Sequence, residues 1–341
     1  MFEKQVQIPS ASELHSTQPL SEAMKKIKKE RDELVREVIS GKSDKLLVIV
    51  GPCSAHESAP VLEYVKRLGK LNEKVKDRLV LVPRIYTNKP RTRGVGYKGM
   101  FLQPDPENKE DIVKGIRTIR ELHLHAITES GLTAADEMLY PENYSYFEDV
   151  LSYVAVGARS SENQMHRLVS SGAEVPVGIK NPMSGRIDVL LNSIFASQHP
   201  QVFKYGEWQV ATNGNEYAHA ILRGMVDFHG NDVPNYHYET VMQVLEGYQK
   251  SDILKNPAVI IDANHSNSGK QFRQQIRIVK EVLQNRSLDE SFKKAIKGFM
   301  IESFLVEGNQ KHNVVFGQSI TDACLGWEDT ERLILDIAEK A

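Results

Sequence analysis

Short apolar runs alternate with charged, amphipathic stretches along most of this chain. The runs predict eight strands, at 46–50, 79–83, 132–136, 153–157, 176–180, 217–222, 258–262 and 298–302. The amphipathic stretches predict helices between them, for example at 58–76, 110–130, 161–171, 236–250 and 271–285. Eight strands with interleaved helices favour an α/β protein with a closed (β/α)8 TIM barrel over an open doubly wound sheet.

Two segments depart from this alternation. Residues 1–44 contain a polar arm (1–18) and then a helical pattern that Gly41 is suited to end. The stretch 199–216, between the fifth and sixth strands, is too long to be part of one helix and predicts an inserted β-hairpin. We therefore divide the chain into an N-terminal arm and helix, 1–44, and a catalytic barrel, 45–341.

Composition excludes several classes of function. The 341 residues include 43 Lys and Arg against 45 Asp and Glu, a formal net charge of −2. That balance argues against nucleic acid or a membrane surface as a partner. The first residues lack the apolar stretch of a signal peptide, and the early run at 46–50 is too short to span a bilayer. Two cysteines, Cys53 and Cys324, are too few for a disulfide framework, so we expect a cytoplasmic protein.

Seven of the apolar runs end next to a residue suited to chemistry. Parallel strands of one barrel would place these residues at the same end, where the chemistry of such barrels takes place. One set could bind a metal, and the other could hold anions. The first set is Cys53, His265 and Glu302, and the second is Arg84, Arg159, Lys180 and Arg223.

The sequence KPRT at 89–92 lies in a strongly basic loop. Arg84, Lys89, Arg91, Arg93 and Lys98 fall within fifteen residues that contain no acid. Such a loop suits phosphate and carboxylate ligands, although taken alone it could be a solvated surface loop. The three cations that follow other apolar strands favour the anion site, because a partly desolvated cation needs an anion. GVGYKG (94–99) has the spacing of a dinucleotide fingerprint but opens no helix, so we reject that interpretation.

A four-ligand metal site could form from Cys53, His265, Glu302 and Asp322. One thiolate, one imidazole and two carboxylates suit Mn²⁺, Fe²⁺, Co²⁺ or Zn²⁺ better than Mg²⁺. The residues show no local ligand spacing, and a lone cysteine after a buried strand is usually a small core residue. His265, in the polar turn DANHSNSGK, has the better individual case. Glu137 could orient a cation or cap a helix.

Eight motifs together resemble the type I 3-deoxy-D-arabino-heptulosonate 7-phosphate (DAHP) synthases. They run in order from about residue 40 onwards: GPCSAH (51–56), KPRT (89–92), GARS (157–160), GIKNP (178–182), ILRG (221–224), DANHSNSGKQ (262–271), IESFLVEGNQ (301–310) and SITDACLGWEDTE (319–331). The resemblance implies a transferase that condenses phosphoenolpyruvate with erythrose 4-phosphate and water, giving DAHP and phosphate. This is the first step of the shikimate pathway to aromatic amino acids.

The resemblance also implies roles for individual residues. One divalent metal ion per subunit (Mn, Fe, Co or Zn) would be held by Cys53, His265, Glu302 and Asp322. Phosphoenolpyruvate would be bound by Arg84, Lys89, Arg159, Lys180 and Arg223, and erythrose 4-phosphate by Arg91, Thr92 and Asp322 with help from Lys180. Lys180 would transfer a proton, which makes it a catalytic residue together with Cys53 and His265.

The resemblance further implies an effector and an oligomer. In relatives, the arm and the inserted hairpin form a site for an aromatic amino acid and make subunit contacts, so we expect such an effector and a homodimer or homotetramer. A simpler interpretation is that the arm only covers the bottom of the barrel. KPRTRGVGYKG is one residue longer than the commoner KPRTTVGWKG and has Tyr97 for Trp, which bears on the aldose pocket and on any role of Lys98. Cys324 could approach Cys53, and we expect activity to be sensitive to oxidation.

Three other functions compete with this one. A 3-deoxy-D-manno-octulosonate 8-phosphate synthase has a similar barrel and takes arabinose 5-phosphate, but its loop typically reads KANRS where this chain has KPRT. A Schiff-base aldolase would use Lys180 and need no metal. A non-catalytic sugar-phosphate sensor would not need all the metal and anion residues that are present.

Overall fold

The computed structural model describes residues 1–91 and 94–341. The strands are β1 (Leu46–Gly51), β2 (Leu79–Pro83), β3 (Ala134–Glu137), β4 (Leu151–Val156), β5 (Val177–Lys180), β6 (Val202–Tyr205), β7 (Trp208–Ala211), β8 (His219–Leu222), β9 (Met225–Val226), β10 (Asp232–Val233), β11 (Val259–Asp262), β12 (Ile296–Glu302), β13 (Val306–Asn309) and β14 (Gln318–Ser319).

The helices are α1 (Ala11–Thr17), α2 (Glu22–Ser40), α3 (Ser58–Val75), α4 (Ile112–Ser130), α5 (Tyr144–Phe147), α6 (Gln164–Gly172), α7 (Ile187–Gln198), α8 (Tyr238–Gln249), α9 (His265–Ser268), α10 (Gln274–Leu288), α11 (Glu290–Ala295) and α12 (Trp327–Lys340), with a 3₁₀ turn at Pro141–Asn143. Within the described residues, no helix is long and apolar enough to cross a membrane.

Eight parallel strands form the barrel in the order β2-β1-β12-β11-β8-β5-β4-β3. The two outer strands meet just beyond β2, where Arg84 bridges to Ala135 and the Ile85 amide donates to the Ala135 carbonyl at 2.9 Å. Helices flank the strands, and each predicted strand overlaps one that is observed. The predicted (β/α)8 barrel is therefore confirmed.

Successive side chains along each barrel strand alternate between two hydrophobic cores, one inside the barrel and one between the barrel and its outer helices. In β1, Leu47 and Ile49 belong to the cluster inside the barrel, whereas Leu46, Val48 and Val50 belong to the cluster under the outer helices. This follows from the two-residue period of a strand, which sends successive side chains to opposite faces. Buried on both faces, these strands are continuous apolar runs in the sequence.

Helix α2 closes the end of the barrel at which the strands begin, which we call the floor. Its Val35, Val38 and Ile39 are fully buried and belong to the interior cluster. Ser21 caps the start of the helix, and Gly41, with φ of +73°, ends it as predicted. The arm thus contributes directly to the barrel core.

The first helix and the insertion lie outside the barrel. Ser10 and Glu13 form a capping box at the start of α1, and the Tyr146 hydroxyl donates to the Pro9 carbonyl at 2.7 Å. β6 and β7 pair antiparallel, and Gly206 turns between them with φ of +57°. The predicted hairpin between the fifth and sixth barrel strands is confirmed.

Candidate metal and anion site at the mouth of the barrel

The predicted site residues lie at the end of the barrel where the strands finish, which we call the mouth. Cys53, Arg84, Arg223 and His265 each follow a barrel strand closely, and Lys180 and Glu302 are the last residues of theirs. Asp322 comes from the loop between β14 and α12. Parallel strands bring these residues together although the chain separates them by up to 269 positions.

Three of the four predicted metal ligands form a compact group. Ligand atoms of Cys53, Glu302 and Asp322 lie within 4.8 Å of one another. His265 lies beside this group, with Nε2 3.9 Å from Glu302 Oε1. Its φ of +50° is unusual for a residue with a side chain and places the imidazole on the tight turn after β11.

Glu302 is almost completely buried, and its two carboxylate oxygens differ. Asn264 Nδ2 donates to Oε2 at 2.6 Å, while Arg84 Nη2 lies 2.8 Å from Oε1. Burial alone would raise the pKa of Glu302, but Arg84 and His265 lower it below its ordinary value. Oε1 is ion-paired with Arg84 but accepts no aligned hydrogen bond from any described residue.

Lys89 connects the thiol to the loop acid. Its Nζ donates to Cys53 Sγ at 2.8 Å and to Asp322 Oδ2 at 3.1 Å. Burial, with Glu302 nearby, raises the pKa of Cys53, and Lys89 opposes this rise. Burial also acts to raise the pKa of Asp322, but Lys89 and Lys270 lower it well below its ordinary value. The Lys89 cation and the partly buried Asp322 carboxylate therefore stabilise one another beside the buried thiol.

Asp262 was predicted only as the end of a strand, yet it is central to the site. Its Oδ2 lies 3.2 Å from Lys180 Nζ and 2.8 Å from His265 Nδ1. The carboxylate is fully buried; burial would raise its pKa, but His265 and Lys180 lower it far below the ordinary value. The signal that could have identified it is an acid in the apolar run AVIID, since a buried acid needs partners.

Arg159 and Arg223 lie close together without acidic partners. Arg223 is 5% exposed, donates to Ser266 Oγ at 3.1 Å, and has its backbone held by the Asn181 side chain. Its pKa is lowered by burial and then by Arg159. Neither arginine forms an ion pair within the described parts of the chain. Arg159 is exposed, whereas Arg223 is buried, and an unpaired buried cation beside a second guanidinium favours an anionic ligand.

The basic loop is anchored beneath the mouth by Asp136. Thr87 donates to this carboxylate through its hydroxyl and through its amide, the latter at 2.9 Å. Arg91 Nε donates to the Tyr97 carbonyl at 2.8 Å, while Lys98 is bound to Glu110 at 2.9 Å. The predicted site residue Thr92, with Arg93, lies outside the described residues.

Two further predictions can be compared with the structure. Glu137 forms no ion pair with a described residue, and its carboxylate packs where a Cβ on Gly157 would stand, 2.2 Å away. Cys324 is buried, and its Sγ lies 3.5 Å from the Asp322 carbonyl. The sensitivity of the activity to oxidation stays a prediction.

Comparisons with known proteins agree with this architecture. The family model described as the DAHP synthetase I family matches residues 18–334. The chain is 42% identical over 314 residues to the Phe-sensitive phospho-2-dehydro-3-deoxyheptonate aldolase of Escherichia coli K12, covering 89% of this chain and 86% of the relative. It is 36% identical over 313 residues to the Trp-sensitive enzyme of the same strain, again covering 89% and 86%.

A solved structure is similar over its whole length. It is the phospho-2-dehydro-3-deoxyheptonate aldolase of Francisella tularensis SCHU S4, with a TM-score of 0.91 and 32% identity, covering 100% of this chain and 98% of that one. Sequence and fold therefore agree, and this chain belongs to the DAHP synthetase I family.

Proposed function

We propose that this protein condenses phosphoenolpyruvate with erythrose 4-phosphate and water to form DAHP and inorganic phosphate, with a divalent metal ion. The observation that carries the proposal is the mouth itself, where a buried thiol and two carboxylates adjoin cations that lack acidic partners. This combination provides a metal site and an anion site side by side. The family match supports the same activity.

Phosphoenolpyruvate carries a phosphate and a carboxylate, and the mouth offers donors for both. Arg84 Nε and Nη1 are buried and have no hydrogen-bond partner among the described residues. Arg159 and Arg223 add two guanidinium groups, which suit bidentate contacts to such anions. We assign phosphoenolpyruvate to these three arginines with Lys89 and Lys180.

The residues present fit a divalent metal. Glu302 Oε1 lacks a hydrogen-bond donor in the described chain, and the group it forms with Cys53 and Asp322 mixes soft and hard ligands. We assign the metal to these three residues and His265, whose Nδ1 is oriented by Asp262. When bound, the ion would act as a Lewis acid toward the aldehyde of erythrose 4-phosphate. Manganese, iron, cobalt and zinc all suit this donor set.

Erythrose 4-phosphate would reach the site from the basic loop. Arg91 uses Nε to bind the Tyr97 carbonyl, which leaves its terminal nitrogens for the sugar phosphate. Asp322 reaches the same space from the opposite side, and Thr92 completes the predicted set. Lys98 is engaged with Glu110 instead.

Side chains of the mouth can orient the substrates and supply a proton during the reaction. Carbon 3 of phosphoenolpyruvate attacks the aldehyde carbon, and water adds at carbon 2 and returns one proton to Lys180. The carbon–oxygen bond to phosphate then breaks as carbon 2 becomes a ketone, and the leaving phosphate takes the second proton. Lys180 donates a proton to the nascent hydroxyl, and Asp262 holds its ammonium group in position at 3.2 Å. The arginines orient phosphoenolpyruvate for the attack.

Phosphoenolpyruvate consumption tests the proposal directly. The assay compares erythrose 4-phosphate with arabinose 5-phosphate, each with Mn²⁺ and with EDTA. We expect metal-dependent turnover with the four-carbon sugar. Preference for the five-carbon sugar would instead favour the octulosonate enzyme, and no turnover with either sugar would favour a sensor.

A Schiff-base aldolase predicts two different results. Turnover would survive EDTA, and borohydride would trap substrate on Lys180. In the structure, Lys180 Nζ is instead engaged with the buried Asp262 carboxylate at 3.2 Å. Absence of trapping, together with EDTA sensitivity, would exclude this mechanism.

We also propose that residues 1–44 and the hairpin bind an aromatic amino acid effector and contribute to a homodimer or homotetramer. The Phe-sensitive and Trp-sensitive names of two relatives support an effector of this class. Because α2 fills the barrel floor, a test by deletion must spare it. Removing residues 1–9 should abolish inhibition by phenylalanine, tyrosine or tryptophan while sparing activity, and unchanged inhibition would contradict the proposal. The cytoplasmic location stays a prediction.

A further inference from the structure

A second cationic cavity lies at the floor of the barrel, at the opposite end from the mouth. It has a volume of about 1010 Å³ and is bordered by the starts of β1 and β12 and by the end of α2. Six basic side chains line it against three acidic ones. In a chain of net charge −2, this is a local excess of positive charge. Its size is that of a small-molecule site.

Arg286, in the last turn of α10, is the unusual member of this lining. It is only 7% exposed, and Nε is fully buried without a hydrogen-bond partner. Over residues 1–91 and 94–341 its guanidinium forms neither a hydrogen bond nor an ion pair. Asp44 and Glu290 are close enough to oppose the lowering of its pKa, but they make no contact with the guanidinium. A buried guanidinium without a partner is costly and needs an anion.

Lys297 adds a second cation beside the first. It is half-buried inside β12, and burial and then Arg286 lower its pKa. Burial also lowers the pKa of Arg286. Gly41 leaves room for the ammonium group, since a Cβ there would stand 3.1 Å from Lys297 Nζ. Two cations held together in this way match one divalent anion better than a monocarboxylate.

We propose that the floor cavity is a second anion site, which binds the phosphate group of a small phosphorylated molecule at Arg286 and Lys297. A phosphate monoester carries a charge of about −1.5 to −2 at neutral pH and three acceptor oxygens, so it can neutralise both cations. The remaining volume accommodates the rest of such a molecule. This site is separate from the mouth, since the barrel interior and its apolar core lie between them.

Calorimetric titration with inorganic phosphate tests the proposal. The protein carries Arg223→Met, so that binding at the mouth is weakened and the binding that depends on Arg286 can be assigned to the floor. We expect this variant to retain one phosphate-binding event. Adding Arg286→Met should weaken that event about tenfold or more, since a hydrogen bond to a charged group contributes about 1.5–3 kcal/mol. Equal binding with and without Arg286, or no binding to Arg223→Met, would overturn the proposal.

Two further variants separate a ligand site from a structural role. Lys280→Met removes a charge from the exposed side of the same helix, where Lys280 pairs with Asp336 at 3.3 Å, and should leave phosphate binding unchanged. Lys297→Met should weaken phosphate binding as Arg286→Met does.

Thermal melting provides the second measurement. In phosphate-free buffer, Arg286→Met should melt no lower than the natural protein, because it removes an unpartnered buried charge. Phosphate should raise the melting temperature of Arg223→Met but not of Arg223→Met/Arg286→Met. A lower melting temperature for Arg286→Met, with an unchanged phosphate response, would show a structural arginine. Turnover of Arg286→Met should equal that of the natural protein, so failure here is distinguishable from failure of the proposed activity.

Discussion

The two ends of the barrel deal with buried charge in different ways. At the mouth, Glu302 and Asp262 are buried, and each has cationic neighbours within 4.0 Å. At the floor, apolar side chains of α2 fill the opening, and Arg286 is buried without an acidic contact in the described chain. Both ends belong to the same eight strands, so the difference comes from the residues that the strand ends, α2 and α10 contribute.

This difference shows where function is concentrated. Apolar closure at the floor stabilises the fold, whereas ion pairs at the mouth contribute less stability than their number implies, because desolvation offsets attraction. The paired charges at the mouth are better explained by the ligands they position. Among the described residues, the buried cations without an acidic contact, Arg223 at the mouth and Arg286 at the floor, mark the places where anions are expected.

The largest effect is expected at the paired charges of the mouth. Lys180→Met should lower kcat by about 10²–10⁴-fold, the usual contribution of a positioned general acid. Stopped-flow loss of phosphoenolpyruvate absorbance measures this. Lys204→Met, an exposed lysine of the hairpin, should leave kcat unchanged and serves as the control.

A second substitution separates proton transfer from charge. Lys180→Arg keeps a cation beside Asp262 but does not release its proton, because arginine has a very high pKa. We expect it to be as slow as Lys180→Met. Recovery of turnover in Lys180→Arg would show that Lys180 acts by electrostatics alone, and normal turnover in Lys180→Met would exclude any catalytic role.

The next effect concerns the floor. Ile39→Ala removes a fully buried side chain from the interior cluster and should lower the free energy of unfolding by about 2–5 kcal/mol. Activity per folded molecule should change little, since Ile39 is at the opposite end from the mouth. Urea denaturation with an activity assay measures both, and Lys29→Ala on the exposed face is the control. A loss of kcat without loss of stability would contradict the division between the two ends.

Most of the fold could be predicted because barrel strands are buried on both faces and appear as apolar runs. The predicted strand boundaries differ from the observed ones where polar residues interrupt a strand. β12 begins at Ile296 rather than at 298, since the charged Lys297 does not resemble part of a buried run. Gly298 is required there because a Cβ would stand 1.8 Å from the Leu47 carbonyl oxygen. β4 begins at Leu151 rather than at 153, because Leu151 already pairs with Ala134 of β3, whereas the polar Ser152 does not resemble part of a buried run.

Most members of the site could be predicted from the sequence, but Asp262 and the pairing of the charges could not. Strand ends and motif resemblance identified the cations and acids of the mouth, because these residues are at fixed places in the barrel. The sequence alone could not show that Asp262 joins Lys180 to His265, since the three come from two strands and one turn. The same holds for Lys89, which reaches Cys53 across the mouth from a separate loop.

The smallest expected effect is on the pH dependence of stability, and it follows from comparing two buried acids near the mouth. Asp262 has cationic neighbours, which lower its pKa, whereas Asp136 accepts hydrogen bonds from Thr87 and Glu137 but has no cation within 4.0 Å in the described chain. Burial therefore raises the pKa of Asp136 to about 7. Between the ordinary carboxyl pKa and about 7, the folded state keeps a proton that the unfolded state has released.

Folding therefore takes up a proton in this range, and the contribution of Asp136 to stability falls as pH rises. Asp136→Asn should remove that contribution, so its free energy of unfolding should decline less steeply between about pH 4 and pH 7 than that of the natural protein. Urea denaturation at several pH values measures the slope, and Asp252→Asn, an exposed acid, is the matched control. Parallel slopes for Asp136→Asn and the natural protein would mean that Asp136 is ionised when folded. The hydrogen bonds from Thr87 and Glu137 would then be enough to stabilise a buried carboxylate without a cation.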